Sequence, residues 1–508
     1  MYSQVYALLR ALQMPVSKDY LRLRLESHPD FPSLVAIQDT LEELQISAYA
    51  CHGSRQELVD ENRPFIAHLW SDGGDIRYFS SVQDAEARVK NFATEWSGNV
   101  VFAEPAKQFG NPEHTRMLKK EKRQHFFRTA AAAVLVAGVL AIAVLSGSPA
   151  QIITTLSCLA GLYFSILIAQ KEMGIQNNIS DKICSMAGHS RCESVLFSKG
   201  AKLLDWLSWG DIGLVYFLGA LLYNAALQAG GQPAVWWYYL SVAGALFPLY
   251  SVYYQWKVVK QWCMLCIGVV AALLVNGAVA ISSLPVFSAV AVVQQGIIFI
   301  GITMLVMFAW QWIKGAYTAS LFSLENEIRA TAMKRNPEIF NAMLEKQEQS
   351  ESNQPLQEDT IQFGNPHAPV QLVIACNPYC GPCAQAHHAI ESLVEKYPGK
   401  LKVAIRFALQ TTDERESRTA AAGHIIRAAR KDAFAAIRDW YKVMRMDQYQ
   451  HHLTDDSNPV TTEIERHIAW SREAGIKATP TLFVNGRKLP ELYNWADFSE
   501  TLEYQLKS

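Results

Sequence analysis

The sequence has almost no net charge, few cysteines for its length and no segment typical of a secretion signal. Its 46 Lys and Arg residues are matched by 47 Asp and Glu residues, so the basic surface that a nucleic-acid partner would need is not expected. Nine cysteines in 508 residues are too sparse, and odd in number, for a small disulfide-stapled scaffold. Residues 1–5 carry neither the basic segment nor the apolar run of a signal peptide.

Charge is also scarce in the middle of the chain, and this scarcity predicts a membrane protein. The mean hydropathy of +0.03 averages an apolar region at 129–313 with more charged regions on both sides. About 20 apolar residues cross the hydrocarbon layer of a bilayer, and they must be helical because lipid offers the backbone no hydrogen-bond partner. We therefore expect membrane helices in six apolar stretches, at 129–145, 150–170, 211–228, 234–255, 259–281 and 286–313.

Soluble regions are expected before, between and after these stretches. The polar loop at 171–210 ends in an amphipathic segment, 201–209, that is predicted to be a short helix lying on the membrane surface. Residues 315–360 have the composition of a charged, helical connector. The remaining sequence alternates strand and helix signals, with buried strands expected at 369–375, 401–409 and 481–484.

The strongest chemical motif is Cys380-Gly381-Pro382-Cys383, which follows an apolar strand and is expected to open a helix near Pro378. The positive end of a helix favours thiolate over thiol at the first sulfur. That thiolate attacks a disulfide, and the second cysteine resolves the mixed disulfide. The alternative is one half of a zinc site, to which the nearby residues Cys376, His387 and His388 would have to contribute; Cys376 is otherwise expected to be a packed, inert thiol.

Residues 361–508 resemble the thioredoxin superfamily in this motif and in the turn that precedes the last strand. Thr479 and Pro480 match the loop that carries a cis-proline and binds the partner chain in that family. The long helical middle is similar to the periplasmic disulfide-exchange branch, whereas the Gly-Pro centre of the motif resembles thioredoxin itself, at the reducing end of the family. The resemblance therefore leaves the direction of electron flow open.

Two further cysteine pairs lie in or beside the apolar stretches. Cys263 and Cys266 are near the start of the fifth stretch, where CxxC spacing places both sulfurs on one face of a helix at the membrane rim. Cys184 and Cys192 lie in the polar loop, and counting the spans puts that loop on the same side of the membrane. Cysteines on an apolar helix are more often packing residues, so a membrane protein with incidental cysteines is the alternative.

The order of these features resembles the vitamin K epoxide reductase family in its bacterial fusion with a thioredoxin-like domain. The shared marks are two loop cysteines eight residues apart, a short amphipathic helix, three spans and a CxxC opening the last core span. The resemblance implies that Cys266 faces the quinone, that Cys263 pairs with Cys192, and that Cys184 accepts electrons from Cys380. It also implies ubiquinone or menaquinone as electron acceptor, and no metal.

Two polar residues are candidates for contact with the quinone. Ser198, six residues after Cys192, matches a family hydroxyl residue that supports the site, with a helix N-cap as the alternative role. Asp211 opens the next span, where the family has polar contacts to the quinone, and it could equally be a helix cap. The family often has a tyrosine where this chain has Val270, so reduction of a quinone is expected rather than reduction of an epoxide.

Residues 1–118 resemble the papain-like peptidase domains attached to bacteriocin exporters, through the segments 28–34 and 64–68. A cysteine peptidase needs a cysteine nucleophile and a histidine base. No cysteine precedes Cys51, and the expected histidine is replaced by Arg77 or Tyr78. We therefore predict an inactive domain that binds peptides or partner proteins.

The charge pattern conflicts with the expected redox compartment. If all six stretches span, the loops at 146–151, 229–233 and 282–285 lie opposite the cysteines and carry no charge, so the positive-inside rule places the cysteines in the cytoplasm. Disulfide formation argues for the periplasm. Either the first stretch does not span, or the thiol side is cytoplasmic; the resemblance favours a bacterial inner-membrane protein with periplasmic redox domains.

Together these observations predict a multi-domain chain: an α-helical transmembrane bundle with a four-helix core and flanking spans, an N-terminal α/β papain-like domain and a C-terminal α/β thioredoxin-like domain. The expected function is thiol:quinone oxidoreduction that supports disulfide formation in reduced client proteins or peptides. The alternative is a peptide-binding or leader-peptide-processing module of a secretion system. The predicted boundaries are 1–118 (peptidase-related), 119–149 (basic linker and extra apolar segment), 150–281 (membrane core), 282–360 (linking span and connector) and 361–508 (thioredoxin-like).

Overall fold

The computed structural model describes residues 1–61, 63–70, 75–106, 108–145, 148–175, 178–185, 192–204, 206–282, 289–449 and 459–507. The chain divides into two compact units. The first unit consists of Met1–His114 together with Asn326–Ser508, and the second unit is Thr115–Glu325.

The N-terminal part of the first unit is an antiparallel sheet, with strands in the order β1-β4-β2-β3, accompanied by short helices. Serine side chains at positions 17, 33 and 81 accept hydrogen bonds from the first turns of three helices, which explains where those helices begin. The elements are α1 (Tyr2–Ala11), α2 (Lys18–Glu26), α3 (Leu34–Glu43), β1 (Ala48–His52), α4 (Arg55–Glu61), β2 (Phe65–Leu69), β3 (Asp75–Phe79), α5 (Val82–Arg88), α6 (Phe92–Glu95) and β4 (Trp96–Ala103).

The second unit is helical. Its elements are α7 (Pro112–Leu145), α8 (Pro149–Glu172), α9 (Asn178–Ser185), α10 (Cys192–Leu196), β5 (Lys202–Leu204), β6 (Leu207–Ser208), α11 (Trp209–Ala229), α12 (Val235–Gly244), α13 (Phe247–Tyr253), α14 (Met264–Ser282) and α15 (Ala289–Arg335). Helix α7 begins in the first unit, and helix α15 ends in it. Among the described residues, five helices are long and apolar enough to cross a membrane: Pro112–Ala141, Pro149–Glu172, Trp209–Ala229, Met264–Ser282 and Val292–Arg335.

Two expectations about this unit were wrong. The segment 201–209 is not a surface helix but the hairpin β5–β6, after which Ser208 caps α11 and so draws Trp209 into the next span. The stretch 234–255 is not one helix, because it is broken between α12 and α13, where Pro248 cannot donate a backbone hydrogen bond. A π-helical turn, Tyr254–Val259, then leads to Lys260 in the left-handed conformation.

Helices α8, α11, α12 and α14 pack together as the core of the second unit. Small residues let them approach closely: a Cβ at Gly161 would lie 2.3 Å from the Phe217 ring, and one at Gly277 would lie 2.5 Å from Ala245. At the end of the bundle where α11 finishes, Gln295 of α15 accepts hydrogen bonds from the Tyr223 hydroxyl and the Val235 amide, each at 3.0 Å.

The C-terminal part of the first unit is a five-stranded sheet with helices around it. The strand order is β11-β10-β8-β9-β7, and only the β8–β9 pair is parallel among the described strands. The three strands expected from sequence correspond to β8, β9 and β10. The elements are α16 (Pro337–Glu345), β7 (Gln362–Gly364), β8 (Val370–Cys376), α17 (Gly381–Lys396), β9 (Leu401–Phe407), α18 (Ser417–Ala429), α19 (Ala433–Val443), α20 (Thr461–Glu473), β10 (Thr481–Val484), β11 (Arg487–Lys488) and α21 (Trp495–Lys507).

A cluster of four charged residues joins the two parts of the first unit, and we call it the junction cluster: Arg24, Glu43, Arg335 and Glu500. The guanidinium of Arg335 contacts Glu43 at 2.8 Å and Glu500 at 2.9 Å. Arg24 contacts the same two carboxylates, at 2.6 and 2.8 Å. Two cations therefore alternate with two anions between α2, α3, the end of α15 and α21.

Candidate redox sites

The motif Cys380–Cys383 lies at the start of α17, after β8. Cys380 is the N-cap residue, and its sulfur accepts a hydrogen bond from the Cys383 amide at 3.4 Å. The helix therefore begins at Gly381 rather than near Pro378. The Cys380 thiol also contacts the carbonyl oxygen of Thr479 at 3.4 Å, and the Thr479–Pro480 peptide is cis. The structure thus brings the predicted partner-binding loop to the first sulfur of the motif; the role of that loop stays a prediction.

The acidity of this dithiol differs from the sequence expectation. The pKa of Cys383, not Cys380, is lowered, to about 6; the largest cause is a hydrogen bond from Cys376, and Cys380 adds another. Burial raises the pKa of Cys380. Because the two sulfurs are hydrogen-bonded, the first ionisation belongs to the pair. Cys383 is buried, whereas Cys380 is partly exposed and remains the sulfur that a partner can reach.

Cys376 is closer to the chemistry than the sequence suggested. It ends β8, is fully buried, and lies 3.5 Å from Nε2 of His387. Burial lowers the pKa of His387 to about 3, so this imidazole is neutral at physiological pH. The His387 ring stacks on Tyr441 at 4.3 Å, and the Tyr441 hydroxyl donates to the carbonyl oxygen of Asn377. Among the described residues, no group of three or more His, Cys, Asp or Glu side chains could hold a metal ion.

In the second unit, the polar loop is held at the end of α8. Cys184 lies on α9, is buried, and forms a disulfide; the side chain of Cys192 lies outside the described residues. Lys171 pairs with Asp181 at 3.0 Å and approaches Glu193 at 3.7 Å, so one cation ties α8 to both α9 and α10. Helix α9 also contacts α14. The loop therefore sits at the same end of the bundle as the second CxxC.

That second CxxC begins α14. Cys263 is fully buried, and its amide donates to Oε1 of Gln255 at 2.8 Å. The Cys266 amide donates to the Cys263 sulfur at 3.4 Å, as the Cys383 amide does to Cys380. Both thiols are free in this structure, so the Cys192–Cys263 pairing stays a prediction. Cys184 and Cys263 belong to one hydrophobic cluster, against which Cys266 packs.

A cavity in the second unit has Cys266 in its wall. Most of its lining is apolar or aromatic: Ile168, Val195, Leu196, Trp209, Phe247, Tyr250, Tyr254 and Val269. A few polar groups are interspersed, namely Ser165, Glu172, Ser251 and Gln255. A flat apolar ring with two carbonyl groups needs such a lining, with one sulfur in reach and a few hydrogen-bonding groups. The residues present therefore fit a quinone.

The two polar residues predicted to contact the quinone have other partners in the structure. The Ser198 hydroxyl donates to the carbonyl of Val195 at 2.6 Å and accepts from the Tyr254 hydroxyl at 3.2 Å. Asp211 is fully buried; it accepts hydrogen bonds from Trp310 at 2.7 Å and from Lys314 at 2.6 Å. It also forms a capping box with Ser208. Direct contact of Ser198 or Asp211 with quinone stays a prediction.

Of the described residues that line this cavity, sequence reasoning identified Cys266 alone as a site residue. It placed Glu172 in the polar loop at 171–210, and Tyr254 and Gln255 in the apolar stretch 234–255. Glu172 accepts a hydrogen bond from the Ser208 hydroxyl at 2.6 Å. The signal that could have found it is a carboxylate at the very end of an apolar helix, because ionisable groups at membrane depth are often functional.

Two segments of the chain match models of known protein families. Residues 152–281 match the model of the vitamin K epoxide reductase family, and residues 356–504 match a thioredoxin family. The chain contains a vitamin K epoxide reductase domain and a thioredoxin-like domain. These two domains support a thiol oxidoreductase for disulfide formation, as the resemblances predicted. The vitamin K epoxide reductase domain contains the Cys266 cavity and both of its cysteine pairs.

Several solved structures are similar to part of the chain. Oxidised BdbD from Bacillus subtilis is 16% identical and covers 32% of this chain and 100% of its own, with a TM-score of 0.25. A periplasmic thioredoxin-like protein from Salmonella enterica serovar Typhimurium is 20% identical, with coverages of 34% and 97% and a TM-score of 0.25. ScsC from Proteus mirabilis is 20% identical, with coverages of 37% and 98% and the same TM-score. No curated protein gave a significant match.

The peptidase resemblance of residues 1–118 is not confirmed, because neither family match extends there. Cys51 lies on β1, which is an edge strand, and is exposed. Partial desolvation of this sulfur by neighbouring atoms, followed by the carboxylates of Glu61 and Glu57, raises the pKa of Cys51. A peptidase nucleophile needs the opposite shift. The neighbouring His52 ring contacts Asn99 at 3.0 Å.

Proposed function

We propose that the chain is a membrane thiol:quinone oxidoreductase that makes disulfides in client proteins. Electrons pass from a client dithiol to Cys380 and Cys383, then to Cys184 and Cys192, then to Cys263 and Cys266, and finally to a quinone. Each protein step is a thiol–disulfide exchange, in which one S–S bond breaks as another forms. In the last step both thiols of the Cys263–Cys266 pair are oxidised to a disulfide, and one quinone is reduced to hydroquinone.

One observation carries this proposal: Cys266 lines an apolar cavity at the end of the bundle that also holds Cys184. A cavity with this lining suits a lipid-soluble oxidant, and a thiol in its wall can be oxidised there. Cys263 connects the cavity to the loop, since it is the buried neighbour of Cys266 within the same helical turn. The thioredoxin-like domain supplies the partly exposed thiol that a client can reach.

We further propose that the cysteine-bearing end of the bundle faces the periplasm of a bacterium, in a multi-pass inner-membrane protein. Stable disulfides form in that compartment, whereas the cytoplasm keeps thiols reduced. The uncharged loops at the other end favour the opposite orientation. Labelling Cys51 and Cys380 with a membrane-impermeant thiol reagent, in intact and in permeabilised cells, would decide between the two.

The test of the function is quinone-dependent oxidation of a reduced dithiol peptide by the purified full-length protein. We expect hydroquinone to appear in equal amount to peptide disulfide, and Cys266→Ala to abolish both. Cys158→Ala is the matched control, because Cys158 is a buried cysteine of the same bundle that hydrogen-bonds Asn276 and is not among the described residues lining the Cys266 cavity. Full turnover in Cys266→Ala would contradict the proposal.

A further inference from the structure

We infer that Glu172 is the acid–base group that carries a proton from the Cys266 thiol to the quinone, an inference that rests on the proposed function. Among the described residues that line the cavity, Glu172 is the one carboxylic acid. It is the last residue of α8, so it reaches the cavity from a different helix than Cys266 does.

The side chain of Glu172 is fixed by the segment that begins α11. The Ser208 hydroxyl donates to Oε2 of Glu172 at 2.6 Å, and the same hydroxyl oxygen accepts from the Asp211 amide at 3.1 Å. The Asp211 carboxylate in turn accepts from the Ser208 amide at 3.0 Å. The hydroxyl oxygen of Ser208 is thus held by the cap of α11, and its hydrogen is donated to Glu172.

A glycine makes room for the carboxyl group. A Cβ placed on Gly210 would lie 2.7 Å from Cγ2 of Ile168 and 3.3 Å from each carboxyl oxygen of Glu172, so this glycine makes room for the last turns of α8 as well as for the carboxyl group. Contacts of these lengths are tighter than ordinary van der Waals contact, so both oxygens lie directly over the Gly210 backbone. Lys314 does not neutralise Glu172 through a direct ion pair in the described structure; its ammonium group is paired with Asp211 at 2.6 Å. This arrangement leaves Glu172 available to gain or lose a proton.

The chemistry needs such a group. When the Cys263 and Cys266 thiols react with a quinone, two S–H bonds break, one S–S bond forms and two O–H bonds form on the hydroquinone oxygens. Electrons and protons balance without any further reagent, but the protons must cross from sulfur to oxygen in an apolar cavity. A positioned carboxyl group that accepts the proton from Cys266 and donates it to a carbonyl oxygen supplies that transfer.

The substitution Glu172→Gln tests the role because it keeps the shape of the side chain and an oxygen that accepts from Ser208, but cannot exchange a proton. We expect kcat for quinone reduction to fall roughly 100-fold and its pH dependence to flatten. Binding of quinone, measured by quenching of tryptophan fluorescence, should stay within about threefold of wild type. Glu172→Asp should restore part of the rate, since it restores the acid. Glu327→Gln, an exposed glutamate on α15, is the matched control.

A readout that does not depend on turnover is infrared difference spectroscopy of the protein reduced and oxidised without quinone. We expect a carboxyl band that changes with the redox state of the dithiol and is absent from Glu172→Gln. Wild-type kcat and pH profile in Glu172→Gln would overturn the inference, as would a loss confined to quinone binding. If wild-type protein failed to reduce quinone at all, the proposed function itself would fall, which is a separate result.

Discussion

At the scale of single residues, the thioredoxin-like domain has three sulfurs where the CxxC motif needs two. Cys376 hydrogen-bonds Cys383, and it also contacts His387. Burial raises the pKa of Cys376, and burial keeps the His387 imidazole neutral. Cys376 therefore stays a protonated thiol that can donate to its neighbour. A residue expected to be inert packing is in a position to set the acidity of the reactive pair.

This arrangement predicts how acidity should respond to substitution. In Cys376→Ala the thiolate of the reduced pair loses its largest stabilising contact, so the pH at which that thiolate forms, followed by its ultraviolet absorbance, should rise by about one pH unit or more. A hydrogen bond to a charged group contributes about 1.5–3 kcal/mol, and one pKa unit corresponds to about 1.4 kcal/mol, so losing this bond should raise the pKa by one unit or more.

The sign of the pH dependence follows from the lowered pKa of Cys383. The thiolate forms as the pH rises through about 6. The stability that it contributes to the reduced form is complete above the ordinary thiol pKa and is lost as the pH falls through about 6. His388→Gln is the matched control, because His388 is an exposed neighbour on α17 with a side chain 52% accessible. An unchanged titration in Cys376→Ala would show that another group sets the acidity.

At the scale of elements, the start of α11 determines the geometry of the cavity wall. Ser208 and Asp211 cap this helix, and the same Asp211 binds Trp310 and Lys314 of α15. One fully buried carboxylate thus fixes both where α11 begins and which turn of α15 lies beside it. The cavity residues Trp209 and Gly210 are placed by these contacts.

Breaking the Asp211–Lys314 pair should therefore be costly. Lys314→Met leaves the buried carboxylate without its cation, and we expect a loss of about 3 kcal/mol, at the lower end of the range for buried pairs because Lys314 is 21% exposed. Thermal unfolding in detergent measures this. The double variant Asp211→Asn with Lys314→Met should recover most of the loss. Simple additivity of the two single substitutions would contradict the pairing.

At the scale of the whole molecule, the junction cluster ties the N-terminal part of the first unit to the thioredoxin-like part. Arg335 contacts both carboxylates of the cluster, and its side chain is only 7% exposed. Around it, Lys507 pairs with Asp39 at 3.1 Å and the Tyr504 hydroxyl donates to Asp30 at 2.9 Å. A role for the N-terminal part in holding α21 follows from these contacts, whatever else it binds.

We expect Arg335→Ala to loosen this junction, because Glu43 and Glu500 would then share a single cation. The cost should lie between the ~1 kcal/mol of exposed pairs and the ~3–5 kcal/mol of buried ones, since both carboxylates are about one-third exposed. Hydrogen exchange should speed up in α2, α3 and α21 while α17 stays protected. Arg415→Ala is the control, since Arg415 is 93% exposed. Unchanged exchange in all three helices would argue against the junction.

Much of this architecture was determined by the sequence itself. Runs of apolar residues predicted the membrane helices α8, α11 and α14, because lipid forces an apolar segment of that length to be helical. Period and composition likewise predicted β8, β9 and β10. The cysteine spacing, with the resemblances it carries, predicted both domains that the family comparisons found.

Other features were decided only by tertiary structure, because they depend on which distant residues meet. The segment expected to be a surface helix forms the hairpin β5–β6, and Ser208 at the end of this hairpin caps α11. Glu172 became a cavity residue only because the end of α8 lies beside Gly210 and Cys266. Cys376 can hydrogen-bond Cys383 only because the end of strand β8 packs against the start of α17. Local patterns specify helices and strands, but contact between side chains far apart in sequence is fixed by packing, and the chemistry of both sites depends on that contact.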